Sequence, residues 1–103
     1  MNIALFKIWL IKMGCTPKVA SDNISRLKKI NSLLINSSIS TSVDQEYKTD
    51  RCISLLKFFD HYGQVDCYFS HALTSLPVGK AQVHTYKLAL TKYVKFKEEF
   101  LTG

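Results

Sequence analysis

Glycine, proline, cysteine and acidic residues are all scarce in this chain. Its 103 residues include four glycines and two prolines, too few for a many-turned all-β fold. Apolar residues make up 47% and charged residues 21%, which is typical of a folded protein and not of a disordered one. A chain this short excludes a multi-domain enzyme and leaves little room for a large substrate cleft. We therefore expect a single domain over residues 1–103.

The cysteine count is odd, so the cysteines cannot all pair within one chain. We expect Cys15, Cys52 and Cys67 to be reduced and to serve as small apolar residues, which favours a cytoplasmic protein. The apolar segment 3–13 is interrupted by two lysines and is too short to span a bilayer. We expect no targeting segment and no membrane partner.

Helical periodicity dominates, and no window alternates with the two-residue period of a strand. Apolar residues recur every three to four positions in five segments. The predicted helices span residues 2–13, 17–35, 42–62, 65–75 and 80–101. The fold class predicted from this pattern is all-α, a compact bundle of four to five helices.

Capping residues mark several of these boundaries. Gly14 stands where a helix ends in a left-handed residue, and Thr16 followed by Pro17 is typical of a helix start. Ser42 and Gln45 have the spacing of a capping box, which predicts another start.

The first helix carries apolar side chains on two faces. The larger stripe consists of Ile3, Phe6, Trp9, Leu10 and Met13, and the second consists of Ala4, Ile8 and Ile11. A helix that is apolar on two faces is either enclosed in the core or meets a partner. In so small a domain we expect enclosure. The alternative is a homodimer or protein-partner contact through the second stripe.

The basic residues concentrate on two predicted helices. The candidate nucleic-acid-binding residues are Lys18, Arg26, Lys28 and Lys29 on the second helix and Lys80, Lys87, Lys92 and Lys95 on the last. At 100° per residue, Lys80, Lys87 and Lys95 share one face of the last helix with His84 and Thr91. Because only two of the fourteen basic residues are arginine, we expect binding to the DNA backbone with weak sequence specificity. The alternative is a charged face that serves solubility.

Metal binding and catalysis have little support in the sequence. Cys52, His61, Cys67 and His71 form the only series that resembles a zinc site, but it lacks a tight cysteine pair, and Cys52 belongs to an apolar stripe. Motifs of phosphate-binding loops, hydrolases and metalloproteases are absent. We expect no cofactor, no metal and no enzymatic activity.

The order of features resembles the N-terminal core-binding domain of tyrosine recombinases, the phage integrases. The matching residues are Phe6-x-x-Trp9-Leu10, Gly14-x-Thr16-Pro17, Ser25-Arg26-Leu27 and Val83-x-x-Tyr86-x-x-Ala89-Leu90-x-x-Tyr93-x-x-Phe96. The family's second helix reads T-x-x-x-Y-x-x-x-L, and Val19, Asn23 and Leu27 stand at those positions here. The family's aromatic residue is therefore absent.

This resemblance implies a SAM-like helical bundle that arches over one side of a DNA duplex. Family members hold the duplex through basic residues on two helices, which match the second and last helices here. The recombinase catalytic domain needs far more chain than is present, so the resemblance implies a stand-alone module of a mobile element, or an accessory protein, without strand cleavage. The competing function is a helical interaction or homodimerisation module with no nucleic-acid role.

Overall fold

The structure, a computed structural model, describes residues 1–60, 69, 73 and 80–101, with the backbone alone at 80–82, 100 and 101. This part of the chain forms five α-helices and a terminal π-helical turn and contains no strand, which confirms the all-α prediction. The elements are α1 (Ile3–Lys12), α2 (Pro17–Ile35), α3 (Val43–Asp50), α4 (Ile53–Asp60), α5 (Lys80–Phe96) and the π-helical turn (Lys97–Leu101). The predicted helix 65–75 lies outside the described residues except for Phe69 and Leu73, which are both buried.

The turn between α1 and α2 follows the capping residues in the sequence. Gly14 has φ +104°, and the N–H of Cys15 donates to the carbonyl of Leu10 at 3.0 Å, which closes the end of α1. The hydroxyl of Thr16 accepts from the N–H of Val19 at 3.2 Å and caps α2. Both predicted boundaries are confirmed.

A side-chain hydrogen bond ties α2 to the start of α3. The side-chain oxygen of Asn31 accepts from the N–H of Val43 at 2.9 Å. The hydroxyl of Ser42 accepts from the N–H of Gln45 at 3.1 Å and caps α3 as predicted. The buried face of α2 consists of Ala20, Asn23, Ile24, Leu27, Ile30 and Leu34.

The single helix predicted over 42–62 is wrong, because the chain turns between Asp50 and Ile53. Arg51 and Cys52 have φ values of +57° and +63°, so the backbone leaves the helical region for two residues. Val43 and Leu55 are both fully buried, yet on one continuous helix they would point about 120° apart. The break turns both apolar faces toward the same core.

The core is centred on aromatic side chains of α1 and α5. The Phe6 ring lies 5.1 Å from the Tyr93 ring and 5.3 Å from the Phe96 ring, centroid to centroid. Trp9 meets Phe96 edge to face at 5.9 Å. Helix α5 packs against α1, α2 and α4, so its apolar face is the common centre of the bundle.

Helix α1 is not enclosed, contrary to the expectation from its two apolar faces. Phe6, Trp9 and Leu10 are buried, whereas Ala4 is exposed and Ile8 and Ile11 are 59% and 43% exposed. The described helices cover only one side of α1, because α2 and α5 both pack against the face that carries Phe6. The second stripe therefore faces solvent.

Candidate nucleic-acid interface

The solvent face of α2 carries the four basic residues predicted from the sequence. Lys18 is exposed and its ammonium lies 3.7 Å from the Asp22 carboxylate one turn away. Lys28 and Lys29 are exposed and Arg26 is half-buried, and none of these three has a carboxylate within 4 Å in the described part of the chain. Among the described residues, these three cations thus have no carboxylate partner.

These cations border a row of small hydroxyl side chains. Ser21, Ser25 and Ser32 are exposed on the same side of α2. Arg26 and Lys28 lie on opposite flanks of this side, about 160° apart at 100° per residue. Short side chains between the cations let the α2 backbone approach a phosphate-bearing surface closely.

The predicted basic face of α5 is only partly available. His84, Thr91 and Lys95 are exposed, and Lys95 has no ion-pair partner among the described residues. The ammonium of Lys87 pairs with the Asp60 carboxylate of α4, so its charge is largely neutralised within the protein. Lys80 begins the helix, but its side chain lies outside the described part.

Lys92 lies on the other edge of α5. It is half-buried, and its ammonium is 3.9 Å from the sulfur of Cys15 in the α1–α2 turn. Because Lys87 and Lys92 are five positions apart, they diverge by about 140° around the helix. Lys92 therefore lies beside the face shared by Lys87 and Lys95 and not on it.

The first two helices carry positive charge with almost no acidic residues. Residues 1–35 contain six basic residues and one acidic residue, whereas residues 43–60 contain three basic and four acidic residues. The acidic groups of α3 and α4 hold two lysines of the C-terminal part, Lys97 at Asp44 and Lys87 at Asp60. Most basic residues of α1 and α2, by contrast, have no ion pair in the described part of the chain.

Two lysines of α1, Lys7 and Lys12, were not among the site residues predicted from the sequence. Lys7 and Lys12 are exposed and have no ion pair in the described structure. They lie on either side of the stripe formed by Ala4, Ile8 and Ile11, because their positions on the helix differ by about 140°. The available signal was the absence of any acidic residue before Asp22.

Asp44 forms the most highly connected polar cluster in the described structure. Its carboxylate accepts hydrogen bonds from the Tyr93 hydroxyl at 2.7 Å and from the Lys97 ammonium at 2.8 Å, and lies 3.2 Å from the amine of Met1. Burial raises the pKa of Asp44, but these donors outweigh burial and hold the pKa below its ordinary value. Burial and the bond to Asp44 raise the pKa of the Tyr93 phenol. The cluster therefore has a structural role.

Of the four residues in the series that resembles a zinc site, the structure describes Cys52 alone. Burial, with a smaller contribution from nearby Asp50, raises the pKa of Cys52 to about 12, so its thiol is unreactive at neutral pH. His61, Cys67 and His71 of the zinc series lie outside the described residues. Within the described part, no three histidine, cysteine or acidic side chains are placed to hold a metal.

A shallow open depression lies where α2 meets α3. Its lining residues are Ile35, Ser40, Thr41, Ser42 and Gln45. This lining contains no ionisable side chain that could act as an acid or a base.

None of the described helices combines the length and the apolar run that crossing a bilayer requires. Comparison with known families, with curated proteins and with solved structures found no match.

Proposed function

We propose that this protein is a small, non-enzymatic DNA-binding module that contacts the phosphate backbone of a duplex. The observation that carries the proposal is the free charge on α2. Arg26, Lys28 and Lys29 project from a helix whose opposite face is the core, and no carboxylate in the described part neutralises them. The resemblance of residues 6–27 and 83–96 to the recombinase core-binding domain supports the same proposal.

The chemistry of these side chains favours backbone contacts over base recognition. Lysine ammoniums are compact point charges that displace counterions from phosphates, whereas bidentate contacts to guanine favour arginine. Lys18 belongs to the same face of α2, Lys92 lies near Cys15 in the turn before α2, and Lys95 is an exposed cation of α5. The exposed serines of α2 add hydroxyl donors that bind phosphate oxygens. Affinity is then electrostatic and nearly independent of base sequence.

Fluorescence anisotropy with labelled duplexes of two unrelated sequences tests the proposal. The two duplexes should bind with similar affinity. A plot of log K against log salt should fall with a slope of about −3 to −4, because each neutralised phosphate contributes about −0.9. The Arg26→Gln/Lys28→Gln/Lys29→Gln variant should lose most of the low-salt affinity, and its slope should be shallower by about 2 to 3.

Lys48→Gln/Lys57→Gln is the control, which removes two positive charges where the α2 variant removes three. It removes two exposed lysines of α3 and α4 that also lack ion pairs in the described part of the chain. DNA affinity should change little in this control. An equal loss of affinity per charge removed in the two variants would mean that overall charge, and not the α2 face, drives the interaction. Absence of binding at low salt would refute the proposed function.

The exposed stripe on α1 supports a second candidate function, a helical protein-interaction module. Ile8 is 59% exposed and Ile11 is 43% exposed, although both are aliphatic residues that normally gain by burial. Ala4 lies one turn before Ile8 on the same helix face, so the three residues form a continuous apolar strip. This function needs no nucleic acid, and it is independent of the α2 cations.

A further inference from the structure

The apolar strip on α1 has a charged border of one sign. Ala4, Ile8 and Ile11 occupy the middle of the exposed face, and Lys7 and Lys12 stand on its two edges. Neither ammonium is within 4 Å of a carboxylate in the described part of the chain. A surface that covers this strip therefore also meets two unneutralised cations.

A second copy of the chain fits this surface poorly. In a symmetric contact the same patch is used twice, so Lys7 and Lys12 of one copy would face the corresponding lysines of the other. The first acidic residue of the chain is Asp22, which is beyond α1 and already lies 3.7 Å from Lys18. Like charges would thus border the apolar contact without a carboxylate from α1 to separate them.

We propose that this face of α1 binds an amphipathic helix of another protein whose apolar stripe is bordered by aspartate or glutamate. The proposal rests on the second candidate function and names the chemistry of its partner. The partner's apolar residues would cover Ile8 and Ile11. Its carboxylates would pair with Lys7 and Lys12 at the rim, where charge complementarity selects one partner over another.

The size of the face sets the expected strength of binding. Helix α1 has ten residues and is about 15 Å long, which offers two to three turns to a partner helix. A contact of this size is below that of a stable, permanent interface. We therefore expect a transient complex with a dissociation constant in the micromolar range.

Two designed peptides serve as probes. Both are helical with the same leucine stripe, and the stripe is bordered by glutamates in one peptide and by lysines in the other. We expect the glutamate peptide to bind the intact protein about tenfold more tightly, because two rim pairs change from attractive to repulsive between the peptides. The Lys7→Glu/Lys12→Glu variant should prefer the lysine peptide, whereas Lys48→Glu/Lys57→Glu should keep the original preference.

A hydrophobic variant separates apolar docking from charge alone. Ile8→Ser should weaken binding of the glutamate peptide at least fivefold while leaving the circular dichroism spectrum and the affinity for duplex DNA unchanged, because Ile8 is outside both the core and the α2 face. If neither peptide is discriminated, or if Ile8→Ser has no effect, both the inference and the interaction function fail.

Other occupants of the face give distinct results. Sedimentation equilibrium that shows a dimer abolished by Ile8→Asp would identify a second copy, and would overturn the inference while keeping the interaction function. Ile8-dependent binding to phosphatidylglycerol vesicles, with no preference between the peptides, would identify a lipid surface and overturn both. Loss of DNA binding in the α2 triple variant, Arg26→Gln/Lys28→Gln/Lys29→Gln, has no bearing on any of these outcomes.

Discussion

Asp44 joins more separate parts of the chain than any other described polar residue. It lies in the first turn of α3 and binds Tyr93 near the end of α5, Lys97 beyond it and the amine of Met1. The side chain of Lys97 is only 12% exposed, and its ammonium also lies 4.5 Å from the centre of the Tyr47 ring. The carboxylate therefore compensates a cation that is largely removed from water.

We predict that Asp44→Asn destabilises the fold by about 1–2 kcal/mol at neutral pH, because Lys97 loses its charged acceptor while a third of the Asp44 side chain stays in contact with water. The pKa of Asp44 is lower in the folded state than in the unfolded chain, so its contribution is present above about pH 4 and is lost as pH falls through the folded pKa. Urea unfolding of the unmodified protein and of Asp44→Asn should show that the difference between their unfolding free energies shrinks as the pH is lowered through the acidic range. A difference that stays constant down to the acid transition would contradict this assignment.

The turn between α1 and α2 is the element boundary that depends most clearly on one residue type. Gly14 has φ +104°, which L residues with a side chain rarely adopt, and a Cβ placed there would meet no atom within 4 Å. The turn thus requires glycine because of its backbone conformation, and not because a side chain would collide with its neighbours. The turn it makes sets the direction of α2 relative to α1.

Gly14→Ala should cost about 1 kcal/mol of unfolding free energy, entirely from backbone strain. Gly14→Asn should cost less, since asparagine tolerates positive φ better than alanine does. Thermal unfolding of the two variants beside the unmodified protein measures this order. An equal cost for both variants would point to a packing effect and away from the conformational explanation.

The charge distribution of the whole molecule is uneven. Net charge is +6, and six of the fourteen basic residues stand in the first 35 positions with a single acidic residue. Two lysines from the C-terminal part pair with carboxylates of α3 and α4. Most basic side chains of α1 and α2 have no such partner in the described part, so they repel one another. This repulsion lowers the free energy of unfolding by a small amount.

The α2 triple variant should therefore be at least as stable as the unmodified protein at low ionic strength. We expect its melting temperature to be equal or higher by up to about 3 °C near 20 mM salt, and the gap should close near 300 mM as the repulsion is screened. Calorimetry at several salt concentrations checks this. A large loss of stability would mean that Arg26, Lys28 or Lys29 supports the fold, and would weaken any conclusion drawn from its DNA affinity.

Much of the architecture follows from local sequence. The starts of α2 and α3 follow from Thr16, Pro17 and Ser42, because a capping hydroxyl and a pre-set φ act within one helical turn. The end of α1 follows from Gly14 for the same local reason. The buried stripe of α5 also follows from spacing, since Val83, Ala89, Leu90, Tyr93 and Phe96 recur with the helical period and are all buried.

The break between α3 and α4 depended on contacts distant in sequence. No glycine or proline marks it. The N–H of Cys52 donates to the carbonyl of Glu46 at 3.2 Å, and the positive φ of Arg51 and Cys52 lets both flanking segments bury apolar residues against one core. The sequence held a signal in the angular separation of Val43 from Leu55. That signal has meaning only once both residues are known to be buried.

The sequence by itself determined the helical class, most helix boundaries and which residues carry positive charge, because periodicity, capping and composition are local properties. Only the tertiary structure decided which of those charges remain free and which apolar face stays uncovered. Lys87 and Lys97 are neutralised by acidic residues of other helices, and Ile8 and Ile11 face solvent because the bundle covers one side of α1. Both outcomes depend on packing between distant segments, which helical spacing along one segment cannot specify.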